Sequence, residues 1–346
     1  MDFNFGLVLA GLLVGFVVGL TGMGGGALMT PILIFFFKID PLTAVGSDLV
    51  VSLFMKPVGA AVHLRRGTVN LGLVKWLCIG SVPAAFIGVF LISSLGDSDK
   101  VENTVKVLLG VALLLSVLTM LVKAMISLRQ YYRDKAAGVE GQHSSVGSIL
   151  IKPVPTIIIG FVGGLIVGMT SVGSGSLIIV GLLLLYPLLR SSDLVGTDLV
   201  QAVPLVAAAA LGHIIAGNFS ATTAAALIVG ALPGVYLGSR VSSSRGQSGI
   251  VRRALMLVLL ASGLKLVNVP PGGVIAALVA FIVLGPVLWA LIRNTEGFTR
   301  KPHKVEGVPF HKLVVAAATG VPPRYQKTKE HPESTWDPEV SAADPL

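Results

Sequence analysis

The sequence predicts an all-α polytopic membrane protein. It reads as two inverted-topology repeats, each a Gly-broken helix hairpin plus three transmembrane helices, with one extra C-terminal span. Three observations carry this. The 346 residues are 53% hydrophobic and only 12% charged, against about 25% charged in an ordinary soluble domain, and mean hydropathy is +0.86. Several apolar runs approach or exceed the roughly 20 residues that cross a bilayer. The two halves also repeat each other at one spacing.

In order, the apolar segments are 5–22, 25–37, 43–64, 70–93, 103–127, 153–171, 176–189, 195–216, 219–239, 250–268 and 272–293. Only the stretch GLTGMGGGALMTP, starting at Gly19, separates the first two, and only SVGSGS, starting at Ser171, separates the sixth and seventh. Each such pair reads either as two spans or as a re-entrant hairpin, and in both cases the chain returns to the side it left. The expected division is a first repeat over 1–127, a basic cytoplasmic linker over 128–152, a second repeat over 153–268, an added span over 269–293 and a mostly disordered cytoplasmic tail over 294–346. A short ordered element around Phe310–Ala318 is allowed within that Pro-rich, charged tail.

Charge sets the expected orientation. The net charge of +9 does not point to nucleic acid, because the basic residues sit in short loops between apolar segments, which is the positive-inside pattern. One set of loops holds Arg65, Arg66, Lys123, Arg129, Arg133, Lys135, Lys152, Arg190, Arg240, Arg245, Arg252, Arg253, Arg293, Arg300, Lys301 and Lys304; the other holds Lys38, Lys100, Lys106 and Lys265. The first set is therefore expected in the cytoplasm. The N-terminus would lie outside and the C-terminus inside. MDFNF has no basic region that would begin a cleaved signal peptide. The lone cysteine, Cys78, allows no internal disulfide and reads as a small buried hydrophobe.

The repeat is legible residue by residue. GLTGMGGGAL from Gly19 matches GMTSVGSGSL from Gly168, and VGSDLV from Val45 matches VGTDLV from Val195. At the latter offset His63 meets His213, Gly67 meets Gly217, Gly80 meets Gly230, Pro83 meets Pro233 and Gly88 meets Gly238. Each half makes an odd number of crossings, so the halves insert in opposite orientations, as in many secondary transporters.

The glycine stretches are the candidate site. A helix broken in mid-membrane exposes N–H and C=O groups that survive only when protein or a water-filled cavity satisfies them. Helix N-termini at such breaks aim partial positive charge at anions. The candidate substrate-binding residues here are Thr21, Gly24, Gly25 and Gly26 in the first half and Thr170, Ser171, Gly173, Ser174 and Gly175 in the second. Small residues also let membrane helices dock tightly, and Gly15, Gly19, Gly160, Gly164 and Gly168 read that way. Neither stretch is a phosphate loop or a dinucleotide fingerprint, since no Gly-Lys-Ser/Thr and no strand–helix context is present.

Polar residues inside spans add to the list. Asp48, Ser52 and Lys56 are spaced four apart on one helical face. Lys56 lies near mid-span, where a charge is expensive unless paired or hydrated, so it is either a partner of Asp48 or an anion ligand. The second half has Val206 in its place. Ser47, Asp48, Thr197 and Asp198 read as helix caps, as site residues or as both, and Gln201 offers a further polar group. His63 and His213 are proton-coupling candidates, with an interfacial hydrogen-bonding role as the alternative. No metal cluster, HExxH, nucleophile elbow or cofactor motif is visible, so no enzyme, metal or cofactor is expected.

Together these motifs resemble the TauE/SafE family of sulfite exporters. The carriers are GLTGMGGGALMTP, AVGSDLV followed by HLRRGTVNLGL, then VGMTSVGSGSL, VGTDLV and ALGHIIAGN, covering about residues 5–268. The resemblance implies a secondary carrier of a small anionic substrate, sulfite or an organosulfonate, working in the lipid bilayer by alternating access. An anion channel or an importer of another sulfur compound is the nearer alternative; a membrane-embedded enzyme or a signalling partner is the more distant one. The charge bias makes a direct prediction. Cysteines placed in 65–69 should react only with permeant reagents in intact cells, and cysteines in 94–102 also with impermeant ones. The opposite pattern overturns the orientation.

Overall fold

The protein was analysed as a computed structural model, which describes residues 4–21, 25–94, 98–136, 150–187, 189, 191–244 and 249–295. Two units are distinguished, Met1–Leu288 and Trp289–Leu346, and the account below concerns the first. Gly22, Gly24 and the whole 296–346 tail, including Phe310–Ala318, lie outside the described residues, as does 137–149 of the linker.

The described residues are all helical, with no strand among them. The helices are α1 (Phe5–Thr21), α2 (Gly26–Phe36), α3 (Pro41–Arg65), α4 (Leu71–Ser93), α5 (Ser98–Ala136), α6 (Pro153–Thr170), α7 (Leu177–Leu185), α8 (Ser191–Ile215), α9 (Ala221–Ser244), α10 (Gly249–Leu266) and α11 (Pro271–Thr295). Six of them are long and apolar enough to cross a membrane: α3, α4, α5, α6, α8 and α9. Large apolar side chains such as Leu9, Leu13, Ile87, Leu91, Ile158, Val162, Val229 and Leu237 stand exposed on α1, α4, α6 and α9. In water such a surface would be a liability; facing lipid it is the favourable one.

The hairpins resolve the question of spans against re-entry. Helix α2 has 11 residues and α7 has 9. At 1.5 Å per residue these reach about 16 and about 14 Å, roughly half of a 30 Å hydrocarbon core. Both hairpins end beside their own start. A Cβ on Gly6 would sit 3.3 Å from the Phe37 ring, and the Tyr186 hydroxyl after α7 lies 2.7 Å from Thr156 Oγ1 and 2.9 Å from Lys152 N at the head of α6.

Contacts between helices recur with the halves exchanged. Helix α1 packs on α9, and its counterpart α6 packs on α4. Glycine makes both seams possible. A Cβ on Gly15 would strike the Ala231 carbonyl, and one on Gly234 the Leu12 carbonyl; one on Gly164 would strike the Ser81 carbonyl, and one on Gly80 the Ile157 carbonyl. The small-residue rows therefore serve helix docking. At the centre α3 and α8 run antiparallel. Gly46 meets Asn218 and His213, Gly59 meets Leu199, and Gly196 meets Thr68 and His63. Both helices continue past an internal proline, Pro57 and Pro204. Helices α5 and α10 cross at Gly110 and Gly263.

Several boundaries differ from the sequence expectation, α5 and α8 among them. Helix α5 runs to Ala136, beyond 127, because SLRQYYRDKA contains good helix formers and no Gly or Pro to stop it. Helix α8 begins at Ser191, four residues before 195, so Asp198 lies inside the helix.

Gly164→Leu should lower stability by about 3 kcal/mol, because its neighbour is backbone and cannot yield. Gly272→Ala, with nothing within 4 Å of its added Cβ, should leave it unchanged or slightly raised. Thermal unfolding in detergent reads both.

Candidate functional site

The site forms where the second hairpin's turn meets α3. Helix α6 ends at Thr170, and Ser171 takes a left-handed conformation, φ 61°, as its C-cap. Gly173 follows at φ 119°, which favours glycine. The turn is held by its own side chains: Thr170 Oγ1 donates to Ile166 O at 2.6 Å, and Val172 N donates to Thr170 Oγ1 at 3.2 Å. His213 is fully buried, and its Nε2 lies 3.0 Å from the Gly168 carbonyl at the end of α6. The amides of Gly173, Ser174 and Gly175 donate to no protein acceptor among the described residues.

Asp48 of α3 joins the two hairpins. Its Oδ2 accepts from Thr30 Oγ1 of α2 at 3.1 Å and from Ser171 Oγ. Its Oδ1 has no partner among the described residues and faces Gly25, whose added Cβ would lie 3.8 Å away. The tips themselves touch, since a Cβ on Gly26 would strike the Ser171 carbonyl and hydroxyl. Asp48 is not a helix cap. The N-cap of α3 is Asp40, which accepts from Thr43 N at 3.0 Å.

Lys56, 7% exposed, donates from Nζ to Ser174 Oγ at 2.5 Å. No carboxylate lies within ion-pair distance of it among the described residues. The carboxylates whose charge it feels are those of Asp198 and Asp48. Of the ammonium's three N–H bonds, one is used, and the other two have no protein acceptor among the described residues. Ser174 and the rest of the turn, Ser171–Ser176, line a cavity of about 20 Å³ closed by Ala27, Ser116, Met120 and Leu259, room for about one water molecule. Ser176 Oγ donates to Ser116 Oγ at 3.0 Å.

The other candidates stand elsewhere. Ser47 Oγ accepts from Ser220 N at 3.1 Å, and Thr197 Oγ1 accepts from Asn70 N at 3.0 Å. These are equivalent bonds, each tying one half's central helix to the turn that begins the other half's next helix. Gln201 Nε2 donates to Ser81 Oγ of α4 at 2.7 Å. Thr21 Oγ1 donates back to Val17 O at 2.8 Å. His63 Nδ1 lies 2.9 Å from Thr68 Oγ1 in the turn after α3. Gly24 is outside the described residues. Asp198, 2% exposed, lies on α8 within the fields of Lys56 and of Lys123 from α5.

Sequence reasoning did not single out Thr30, Ser116, Met120 or Lys123 for the site. A lone hydroxyl in LMTPIL or ALLLSVLTM is a weak signal, and Lys123 reads as a loop cation.

A small cavity lined by hydroxyls and by the Gly173–Gly175 turn, whose Ser174 hydroxyl carries the Lys56 ammonium, set at a break in a membrane helix, suits an anion. Comparison with known proteins agrees. The family model described as "Sulfite exporter TauE/SafE" matches residues 7–266. The chain belongs to the TauE/SafE family. It is a multi-pass membrane transporter of that group. It is 36% identical over 262 residues to the "Probable membrane transporter protein YjnA" of Bacillus subtilis, covering 75% of this chain and 98% of that protein. It is 29% identical over 196 residues to the "Probable membrane transporter protein YunE" of the same organism, covering 52% and 67%. No solved structure matches.

Ser47→Ala and Thr197→Ala each leave a buried amide without its acceptor. Each should lower stability by about 1–3 kcal/mol. Thermal unfolding in detergent should show drops of similar size, and an unchanged midpoint for either would contradict a structural role for its hydroxyl.

Proposed function

We propose that this protein is a secondary carrier that moves a small oxyanion, sulfite or an organosulfonate, out of the cell across a bacterial inner membrane by alternating access. One observation carries the reading. The Lys56 ammonium rests on Ser174 with two N–H bonds to spare, beside the unused amides of Gly173, Ser174 and Gly175. Charged and dipolar donors converging in a low-dielectric setting are what an oxyanion requires. The hydroxyls of Ser171 and Ser176 stand at the same cavity, and the family description names sulfite.

Alternating access is supported by the exchange of contacts between halves. Helices α1 on α9 and α6 on α4, with α3 antiparallel to α8 between them, are the contacts expected of repeats inverted across the membrane plane. The site belongs to both halves, since α3 supplies Lys56 and the second hairpin supplies Ser174. A divalent anion leaving a negative-inside cell moves down the electrical gradient. No chemical step is assigned to the protein.

Labelled sulfite uptake into proteoliposomes tests the reading. Flux should saturate and show counterflow, as a carrier requires. Lys56→Gln should lower kcat/KM about tenfold to a hundredfold, the worth of a hydrogen bond to a charged group. Linear flux without counterflow would favour a channel, and flux untouched by the substitution would remove Lys56 from the site.

A further inference from the structure

Asp48 and Asp198 occupy equivalent places in the two halves but stand in different surroundings. Asp48 receives two hydroxyl donors, Thr30 and Ser171. Asp198 makes no hydrogen bond among the described residues, and its buried Oδ1 has no partner. The repeat explains the difference: Ile179 stands where Thr30 stands, and Gly22 where Ser171 stands. Helix α3 packs on α8 beside Asp198, with Gly59 against Leu199, and among the described residues the cations acting on this carboxylate are Lys56 of that helix and Lys123 of α5.

The ionisable groups around it are few. Helix α3 brings Lys56, Asp48 and His63, and α5 brings Lys123. Helix α4 brings the Cys78 thiol, which lies 4.0 Å from the Gln201 carbonyl. Helices α6 and α7 bring none. On α8 itself are Asp193, 2% exposed, and His213. Asp193 is five residues away, about 7.5 Å along the axis. His63 is engaged by Thr68 in the turn after α3, and His213 by the Gly168 carbonyl at the end of α6, three residues before Ser171.

We infer that Asp198 is a proton-binding site linked to the anion site through Lys56, so that the anion and one proton are bound, and carried, together. This rests on the anion reading above. A buried carboxylate without hydrogen bonds stays ionised only beside opposite charge. Lys56 supplies that charge while the site is empty. An oxyanion arriving at Ser174 takes up the field of the same ammonium, and the Asp198 carboxylate then binds a proton from water to become a carboxylic acid. One O–H bond forms and nothing is oxidised or reduced. The field of Lys123 is present in both states and does not change with occupancy. For a monovalent anion the buried charge is unchanged by loading, since Asp198 loses one negative charge as the anion brings one. A monovalent anion therefore crosses without net charge, and a divalent one carries a single negative charge.

Titration calorimetry on the purified full chain tests this, using sulfite, sulfate and methanesulfonate in two buffers of different ionisation heat. Sulfate and methanesulfonate do not titrate near neutral pH, so the buffer dependence of their heat counts protons taken up by the protein. For sulfite the count is the difference between wild type and Asp198→Asn. About one proton should be taken up per anion bound, none in Asp198→Asn, and the wild-type number in His63→Gln. Infrared difference spectra of the wild type should show a protonated carboxyl band appearing on anion addition and shifting in carboxyl-13C-aspartate protein, which needs no variant to fold. Anion binding with no proton uptake, or uptake that persists in Asp198→Asn, overturns the linkage while leaving the anion site standing. Absence of binding by all three anions removes the site itself, and the linkage with it.

Discussion

A helix that stops inside a bilayer leaves amides and carbonyls that hydrocarbon cannot satisfy, and this protein contains two such stops. Around the second, the surrounding chain supplies the missing partners one at a time. His213 reaches the Gly168 carbonyl, the Thr170 hydroxyl serves both Ile166 and Val172, and Ser171 reaches Asp48. The glycine seams serve the same constraint indirectly. By letting α6 lie against the backbone of α4, and α1 against that of α9, they hold each hairpin closely against the other half. Among the described residues of this turn, the amides of Gly173, Ser174 and Gly175 have no protein acceptor, and the Lys56 ammonium stands beside them on Ser174.

Equivalence of backbone and difference of side chain divide the labour between halves. Ser47 and Thr197 make the same bond, and Gly67 and Gly217 make the same left-handed turn, at φ 64° and 72°. These fix the shared architecture. The pairs that differ are polar and central: Lys56 against Val206, Thr30 against Ile179, Ser171 against Gly22. A fold built of two like parts thus carries the Lys56 ammonium in one part only, placed where the parts meet. One hydroxyl-bound carboxylate stands on one side of it and one unbonded carboxylate on the other.

The segments, the breaks and the repeat were legible in the sequence because each is a local pattern. Apolar length, glycine clusters and a fixed offset need no knowledge of partners. Packing partners were not legible. Small residues four apart say that a helix docks closely, not that Gly15 docks on Ala231 more than two hundred residues away. The half-length of α7 was hidden too, because its apolar run continues through Leu188 and Leu189 although the helix ends at Leu185, ahead of Pro187. Ser47 and Thr197 looked like local caps or ligands, since a hydroxyl's reach to another repeat leaves no trace in spacing. Lys56, Asp48, Ser171 and Ser174 were legible because ionisable and hydroxylic residues amid apolar spans stand out as expensive. Thr30 and Ser116 were not, because one hydroxyl can satisfy itself on its own helix.

Sharing the site between halves has a consequence for motion. A ligand shifts a conformational equilibrium only by binding one state better than another. Lys56 and Ser174 sit on different halves and are joined by one hydrogen bond of 2.5 Å. Any rocking of one half against the other must lengthen that bond, and in a buried setting the loss of a charged hydrogen bond amounts to about 1.5–3 kcal/mol. An oxyanion that accepts from the ammonium and from the turn amides replaces the bond with ones that bend and re-form as the halves move. In the proposed carrier the empty site would then be locked by its own lysine, and the loaded site would be free to turn over. The lysine proposed to recognise the charge would also be the one that forbids movement without it.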